Sequence, residues 1–377
     1  MTFRIAAVIF EGGAPRHDVV RELTAVRQAV VLDNIAKLKR ISLIDEVILR
    51  TNYPQLAAQA AALGATVLRD TAPFHFGRAL QSVVSEAGCD GLIYLGGAAA
   101  PLLSLAEFTE LAEALRTRAP VIFTNNPQSA DIVAFAPAAA LLDVTPPEND
   151  NALATVLKQT LGLNRELMPH STGVHFDLDT PTDALVLALS PHTGERTTAA
   201  LKELPWDNTR LARALTRMRE THCECALIGR VNPAAMAHLN THTFLRLRVF
   251  SEERGMKALD REAKGEVVSL LGHFLAAVGP QRFFSFVSNA CDVCFIDTRV
   301  LFAHFKLQLT EEMRFLSDLG RFDEITHPWL QEFTQAAVTA EIPVVLGGHS
   351  LVTGCMWVLG DIIKTKFQNP QGVARRE

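Results

Sequence analysis

In the second half of this chain, charged side chains gather beside short apolar runs, where they would sit at strand ends. Arg246 and Arg248 share one face of an alternating segment, residues 244–250, and Ser251, Glu252, Glu253 and Arg254 follow it. Asp297 and Arg299 follow the apolar run DVCFI, and Arg314 and Asp318, four apart, share a helix face. Gly347-Gly348-His349-Ser350 joins PVVL to a helical stretch, an arrangement that points backbone N–H groups at an anion. Brought together, these groups would make an anion or metal–phosphate site. Kept apart, they would make buried Arg–carboxylate ion pairs. The sequence leaves both open.

Two further sets have ligand chemistry. Cys223-Glu224-Cys225 and Cys291-Asp292-Val293-Cys294 offer four thiolates. Cys-x-Cys is a poor zinc knuckle, and Cys294 lies in an apolar strand with Cys291 off its face, so core thiols are expected and no zinc. His238 and His242 are four apart, but no Glu accompanies them and LNTHT is a poor helix.

The elements that position these groups alternate. Residues 4–10 (RIAAVIF) form an apolar run ending in Glu11-Gly12-Gly13, a buried strand entering a glycine turn. Helix periodicity follows over 23–38, then a strand at 46–50, a helix at 55–63 and a strand at 66–69. A helix at 79–86, a strand at 91–95 ending in Gly96-Gly97, a helix at 105–115 and a strand at 120–124 continue the pattern. This predicts an α/β domain with a doubly wound, mostly parallel sheet. Ligands of such sheets sit beyond the carboxyl ends of the strands, here Glu11-Gly12-Gly13, Asp70-Thr71 and Gly96-Gly97.

After a strand at 174–176, Asp177-Leu178-Asp179-Thr180-Pro181-Thr182-Asp183 leads into an apolar helix at 184–189, with Thr180 as N-cap and Pro181 at its first position. The polar segment 190–210 sets the expected boundary between a domain at 1–195 and a second, helix-rich α/β domain at 200–377. There we expect helices at 211–221, 262–278, 328–340 and 352–367. Strands are expected at 244–250, 283–287, 292–296 and 342–346, and residues 369–377 should be frayed.

The chain has 377 residues, 48% hydrophobic and 20% charged, a composition that excludes disorder and a disulfide scaffold. A net charge of −5 argues against nucleic acid or an acidic membrane as partner. No apolar run reaches the length of a membrane span, and the first residues lack the pattern of a signal peptide. A soluble cytoplasmic protein with reduced thiols is expected.

Residues 3–190 carry a series of motifs in order: AAVIFEGGAPR, Arg21-Glu22-Leu23, IDEVIL, GLIYLGGAAAPLLS and FDLDTPTDA. In this they resemble the GT-A-type nucleotidyltransferases, in particular the molybdenum-cofactor and 2-phospho-lactate guanylyltransferases. The FDLDTPTDA segment is the most specific part of the likeness. The resemblance implies transfer of a nucleotidyl group from a nucleoside triphosphate to a small anionic acceptor, with Mg²⁺ stabilising the leaving pyrophosphate. It implies nucleotide contacts at Gly12, Gly13, Arg16, Gly96 and Gly97. It also puts Arg21 where the family has its phosphate-binding Lys, and makes Asp177 and Asp179 the catalytic metal ligands. Two features depart from the family: the turn 96–100 has no carboxylate, and Glu11 stands in the nucleotide loop. On the residues alone, Gly12-Gly13 can be an ordinary turn, and Asp177 and Asp179 can simply cap the next helix. Two alternatives follow: a binding protein on a degenerate nucleotidyltransferase fold, or an enzyme with its active site in the second domain.

Overall fold

All six residues of β1 (Ile5–Phe10) are buried. Ile5, Ala7 and Ile9 face one apolar layer, and Ala6, Val8 and Phe10 the other. A strand covered on both faces needs no polar alternation, which is why RIAAVIF reads as a continuous run. The computed structural model describes residues 3–70, 73–127 and 130–367. The expectations at Thr71 and at residues 369–377 lie outside the described residues.

Among the described residues the first sheet contains β1, β2 (Glu46–Thr51), β3 (Thr66–Arg69), β4 (Gly91–Gly96), β5 (Val121–Thr124), β6 (Ile132–Ala136) and β7 (Arg165–Leu167). Its order is β3-β2-β1-β4-β6-β5-β7. The strands β1 to β4 are mutually parallel, β6 runs antiparallel to both β4 and β5, and β7 is parallel to β5. Chain direction therefore brings the start of β6 to the same edge as the ends of β1 and β4. β6 and β7 go beyond the sequence expectation.

The second sheet is all parallel, in the order β11 (Val344–Gly347), β10 (Val293–Asp297), β8 (Glu224–Gly229), β9 (Arg246–Ser251). Helices cover both of its faces, so the whole is two doubly wound sheets, the second helix-rich. The two halves share one apolar core. The helix Asp18–Leu38 turns Val31, Leu32, Ile35 and Leu38 to the first sheet. Its Val19, Val20, Leu23, Val26 and Val30 pack with Leu211, Phe315, Val352 and Leu359 of the second half. Among the described residues, no helix is long and apolar enough to cross a membrane.

Four local expectations are corrected. Residues 174–176 are not a strand: Thr172–His175 form a short helix capped by the Ser171 side chain, which accepts the Val174 N–H. Residues 283–287 are not a strand but lie inside the helix Pro280–Ala290. Gly279 at φ 79° and Pro280 at its first turn start that helix, and Phe283, Phe284 and Val287 occupy one face at helical spacing. The helix expected over 262–278 is only Leu270–Val278. Gly255, Gly265, Glu253 and Asp260 all hold positive φ, which breaks the preceding segment into turns. His238 and His242 do share a helix, Pro233–His242, because Asn232 caps it. The His238 ring stacks on Trp357 at 4.0 Å.

Candidate functional site

In the first sheet, the strand order reverses between β1 and β4, the position where open α/β sheets bind ligands. Glu11 follows β1 and is fixed by its N–H donating to the Arg50 carbonyl at 3.0 Å. Arg27 donates to both of its carboxylate oxygens, at 3.2 and 3.0 Å, and points a third N–H at the Leu178 carbonyl. The loop carboxylate is thus neutralised by a residue one helix away. Burial would loosen the Arg27 proton, but Glu11, then Asp179 and Asp177, hold it more tightly than in water. Gly97 is required here: a Cβ on it would lie 1.7 Å from the Glu11 Oε2.

The sequence-predicted residues distribute as follows. Gly12, Gly13 and Arg16 line a cleft of about 320 Å³, closed from the second half by Thr310, Glu311, Glu312 and Phe315. The Gly13 N–H donates to Asn52 Oδ1 at 3.0 Å, and Asn52 Nδ2 donates to the Gly13 carbonyl at 2.8 Å. Gly12, Gly13 and Gly97 also line a larger cleft, about 730 Å³, walled by Phe10, Phe74, Phe76 and Tyr94. Arg21 is turned to Asp18 and the Arg16 carbonyl and lines neither cleft; Arg27 lines both.

Asp177 and Asp179 sit where the two halves meet. Leu178 N donates to Asp177 Oδ1 at 2.9 Å. Asp183, not Asp179, completes the capping box with Thr180 and takes the N–H groups of Asp179 and Thr180 at 3.1 and 2.8 Å. The Asp179 carboxylate is therefore free of capping duty. The turn after β4 contains no carboxylate of its own; Asp131 meets it through its backbone, and Asp150 brings a carboxylate oxygen to it. The Asp131 carbonyl, just before β6, accepts the Gly96 N–H at 2.9 Å. Asp150 Oδ2 accepts the Tyr94 hydroxyl at 3.3 Å and would lie 3.5 Å from a Gly96 Cβ.

Asp131, Asp150, Asp177 and Asp179 share one cavity of about 240 Å³ with Arg230, Asn232, Lys257 and His349 from the second half. Asp179 also lines the Gly12–Gly13 cleft, so it stands between the two spaces. Burial, then the charges of Asp179 and Asp150, push the Asp131 carboxyl up to about 8. Burial and the charges of Asp179 and Asp131 hold Asp177 well above the carboxylate range, and burial raises Asp150. Burial and the Arg230 charge push His349 down to about 4, so it is neutral at pH 7.

The sign of the resulting pH dependence follows. Folded Asp131 binds a proton up to about pH 8, whereas unfolded it has the ordinary value of 3.8, so stability is lost as pH rises through that interval. Burial and Asp179, which take Asp183 to about 7, act in the same direction. His349 and His175, both at about 4, lose stability only below pH 6.5. Between pH 6.5 and 8, in metal-free buffer, we expect the Tm to fall with rising pH, and Asp131→Asn to flatten that slope. Thermal melts of both proteins at fixed ionic strength check this.

The charged set of the second half does not gather at one place; most of its members form local ion pairs. Arg246 and Arg248 pair with Glu224 on the open edge of the sheet, at 3.5 and 3.2 Å. Glu252 accepts the Ser269 hydroxyl and the Leu270 N–H, capping a helix, and Glu253 pairs with Arg261 at 2.8 Å; Arg254 follows in the same turn-rich segment. Asp297 takes Arg230 at 2.6 Å, and Asp318 takes Arg299 at 2.6 Å, both buried. Arg314 lies beside the second of these pairs. Gly347 and Gly348 are packed against side chains: a Cβ on them would meet Leu351 at 2.9 Å and Thr180 at 2.8 Å. Ser350 donates to the Asp177 carbonyl at 2.7 Å, and the following helix begins only at Gly354, sealed by His175 and Phe176. Of this set only His349, Ser350 and, through Arg230, Asp297 border the cavity.

Sequence reasoning missed Arg27, Asp131, Asp150, Arg230 and Lys257. Arg27 lies on the polar side of a helix already read, whereas Asp131 precedes β6, a strand outside the sequence expectation.

The fold defines a doubly wound α/β protein with carboxylates at the reversal point of its first sheet. No protein family and no curated protein matches the chain. Among solved structures it is similar to a cytidylyltransferase from Leptospira borgpetersenii serovar Hardjo-bovis, at 14% identity over 53% of this chain and 93% of that one, TM-score 0.40. It is also similar to a nucleotidyl transferase from Methanothermobacter thermautotroptrophicus, at 15% identity over 48% and 94%, TM-score 0.38. A third is a 4-diphosphocytidyl-2C-methyl-D-erythritol synthase, at 13% identity over 50% and 98%, TM-score 0.37.

Proposed function

We propose that the chain transfers a nucleotidyl group from a nucleoside triphosphate to a small anionic acceptor. The observation that carries this reading is the position of Asp179, shared by the glycine-loop cleft and the carboxylate cavity between the two halves. A nucleotide in the first space and an acceptor in the second would meet at that side chain.

The larger cleft suits a base and ribose, with Phe10, Phe74, Phe76 and Tyr94 for apolar contact and Asn52 for hydrogen bonding. Arg27, oriented by Glu11, faces the triphosphate. Lys257 and neutral His349 face the acceptor, whose negative charge Lys257 would hold. The donor chemistry fits Mg²⁺: hard carboxylate oxygens, crowded enough to raise one another's proton affinity. Among the described residues, no three His, Cys, Asp or Glu side chains could hold a metal by themselves. Asp177 and Asp179 would therefore supply two ligands, and phosphate oxygens and water the rest. Bound there, Mg²⁺ would offset charge on the triphosphate and on the departing pyrophosphate. The acceptor oxygen attacks the α-phosphorus, and the bond from that phosphorus to the bridging oxygen breaks. Asp131 in its ionised form, which prevails above about pH 8, can receive the proton that an acceptor hydroxyl loses.

One observation favours a second reading, nucleotide binding without transfer. The turn at residues 96–100, Gly-Gly-Ala-Ala-Ala, offers no side-chain metal ligand, leaving Asp177 and Asp179 to hold Mg²⁺. Release of pyrophosphate from each of the four common triphosphates, with Mg²⁺ and a pool of small phosphorylated and carboxylated metabolites, separates the two. Transfer requires release that depends on both metal and acceptor; binding alone gives none.

A further inference from the structure

On another face of the second half, three segments enclose a cavity of about 480 Å³. They are the turn-rich chain before the helix Leu270–Val278, the helix Thr298–His304 with the residues after it, and the helix Glu311–Leu319. No residue of its lining lines the clefts described above. The wall carries Arg299, Arg314, Lys264 and Lys306 against a single carboxylate, Glu262. Arg299 is neutralised by Asp318, in two hydrogen bonds of 2.9 and 2.6 Å. Among the described residues, Arg314, Lys264 and Lys306 have no carboxylate at ion-pair distance.

Arg314 is the informative member. Its Nε is buried and has no hydrogen-bond partner among the described residues. Buried donors are nearly always paired, and an unpaired one calls for an explanation such as a missing ion. Burial and the neighbouring Arg299 charge loosen the hold of Arg314 on its proton and outweigh the more distant Glu311, Asp318 and Glu262 carboxylates. A guanidinium fork with two flexible ammonium groups around one space matches a dianionic phosphate, whose oxygens accept several charge-assisted bonds. The volume exceeds that of the phosphate alone, and the Phe302 ring offers apolar contact for an organic body.

We propose that this cavity is a second ligand site that binds a small phosphomonoester through Arg314, Lys306 and Lys264. The site is independent of the nucleotidyl-transfer reading. Inorganic phosphate titrated into the full chain by calorimetry, with chloride holding ionic strength constant, tests it. We expect saturable binding, weakened by at least about tenfold in Arg314→Gln and in Lys306→Gln, since each loses a charge-assisted bond. Both variants should melt as the parent does in phosphate-free buffer. If Arg314→Gln fails to fold, Lys306→Gln, at an exposed position, decides alone. Absence of saturable binding in the parent, or binding unchanged in the variants that fold, overturns the proposal.

Discussion

Asp179→Asn is expected to lower nucleotidyl transfer by about 10³-fold, the several kcal/mol that a well-placed cation contributes. The substitution is nearly isosteric. It removes a charge without disturbing the Asp179 N–H, which donates to Asp183. Asp179 is the largest charge contribution to the raised carboxyls of Asp131, Asp177 and Asp183. Neutralising it relieves that repulsion, so the variant should melt at or above the temperature of the parent. Lost activity with undiminished stability marks a group kept for function rather than for folding. Radiolabel transfer, read beside a thermal melt, checks both halves of the expectation. Asp177→Asn should behave alike, whereas Arg21→Ala should leave transfer almost unchanged because Arg21 lines neither cleft.

Asp297→Ala should give the largest loss of stability, about 3–5 kcal/mol, the usual consequence of leaving one partner of a buried ion pair alone. Asp297 is fully buried, and Arg230, paired with it, is nearly so. The carboxylate accepts the Arg230 Nε and Nη2 at 2.6 and 3.1 Å, its backbone N–H at 3.3 Å and the Arg299 N–H at 3.2 Å. Removing it therefore strands a cation and uncaps the helix Thr298–His304 together. Gly229, at φ 115°, packs against the same residue, where a Cβ on it would lie 2.5 Å from the Asp297 Cβ. Urea denaturation of the parent and of Asp297→Ala measures the difference. Arg230→Met combined with Asp297→Leu should recover a large part of it, since paired apolar replacement avoids the buried charge.

The first sheet was legible because its parallel strands are covered on both faces and so read as continuous apolar runs, as in RIAAVIF and GLIYL. Residues 283–287 misled for the same reason: a short apolar run has no period of its own, and only Gly279-Pro280 marks it as a helix start. Asp177 and Asp179 were visible as a motif, but the carboxylates that accompany them were not. Asp131 and Asp150 come from a reversed strand and a loop distant in sequence, and the packing of the two halves brings Arg230, Lys257 and His349 opposite them. The Arg–carboxylate concentration of the second half was equally visible. Its separation into local ion pairs was not, because four-residue spacing shows which groups share a helix face and not which partner lies across it.

The most direct measurement is ligand-induced thermal stabilisation of the full chain by each of the four nucleoside triphosphates, with and without Mg²⁺. A ligand at one hundred times its Kd stabilises by about 2.7 kcal/mol, a rise of a few degrees in Tm. We predict such a rise for at least one triphosphate, dependent on Mg²⁺ and lost in Arg27→Ala. No shift with any triphosphate, with or without the metal, would contradict nucleotide binding at the β1–β4 edge and with it the proposed transfer.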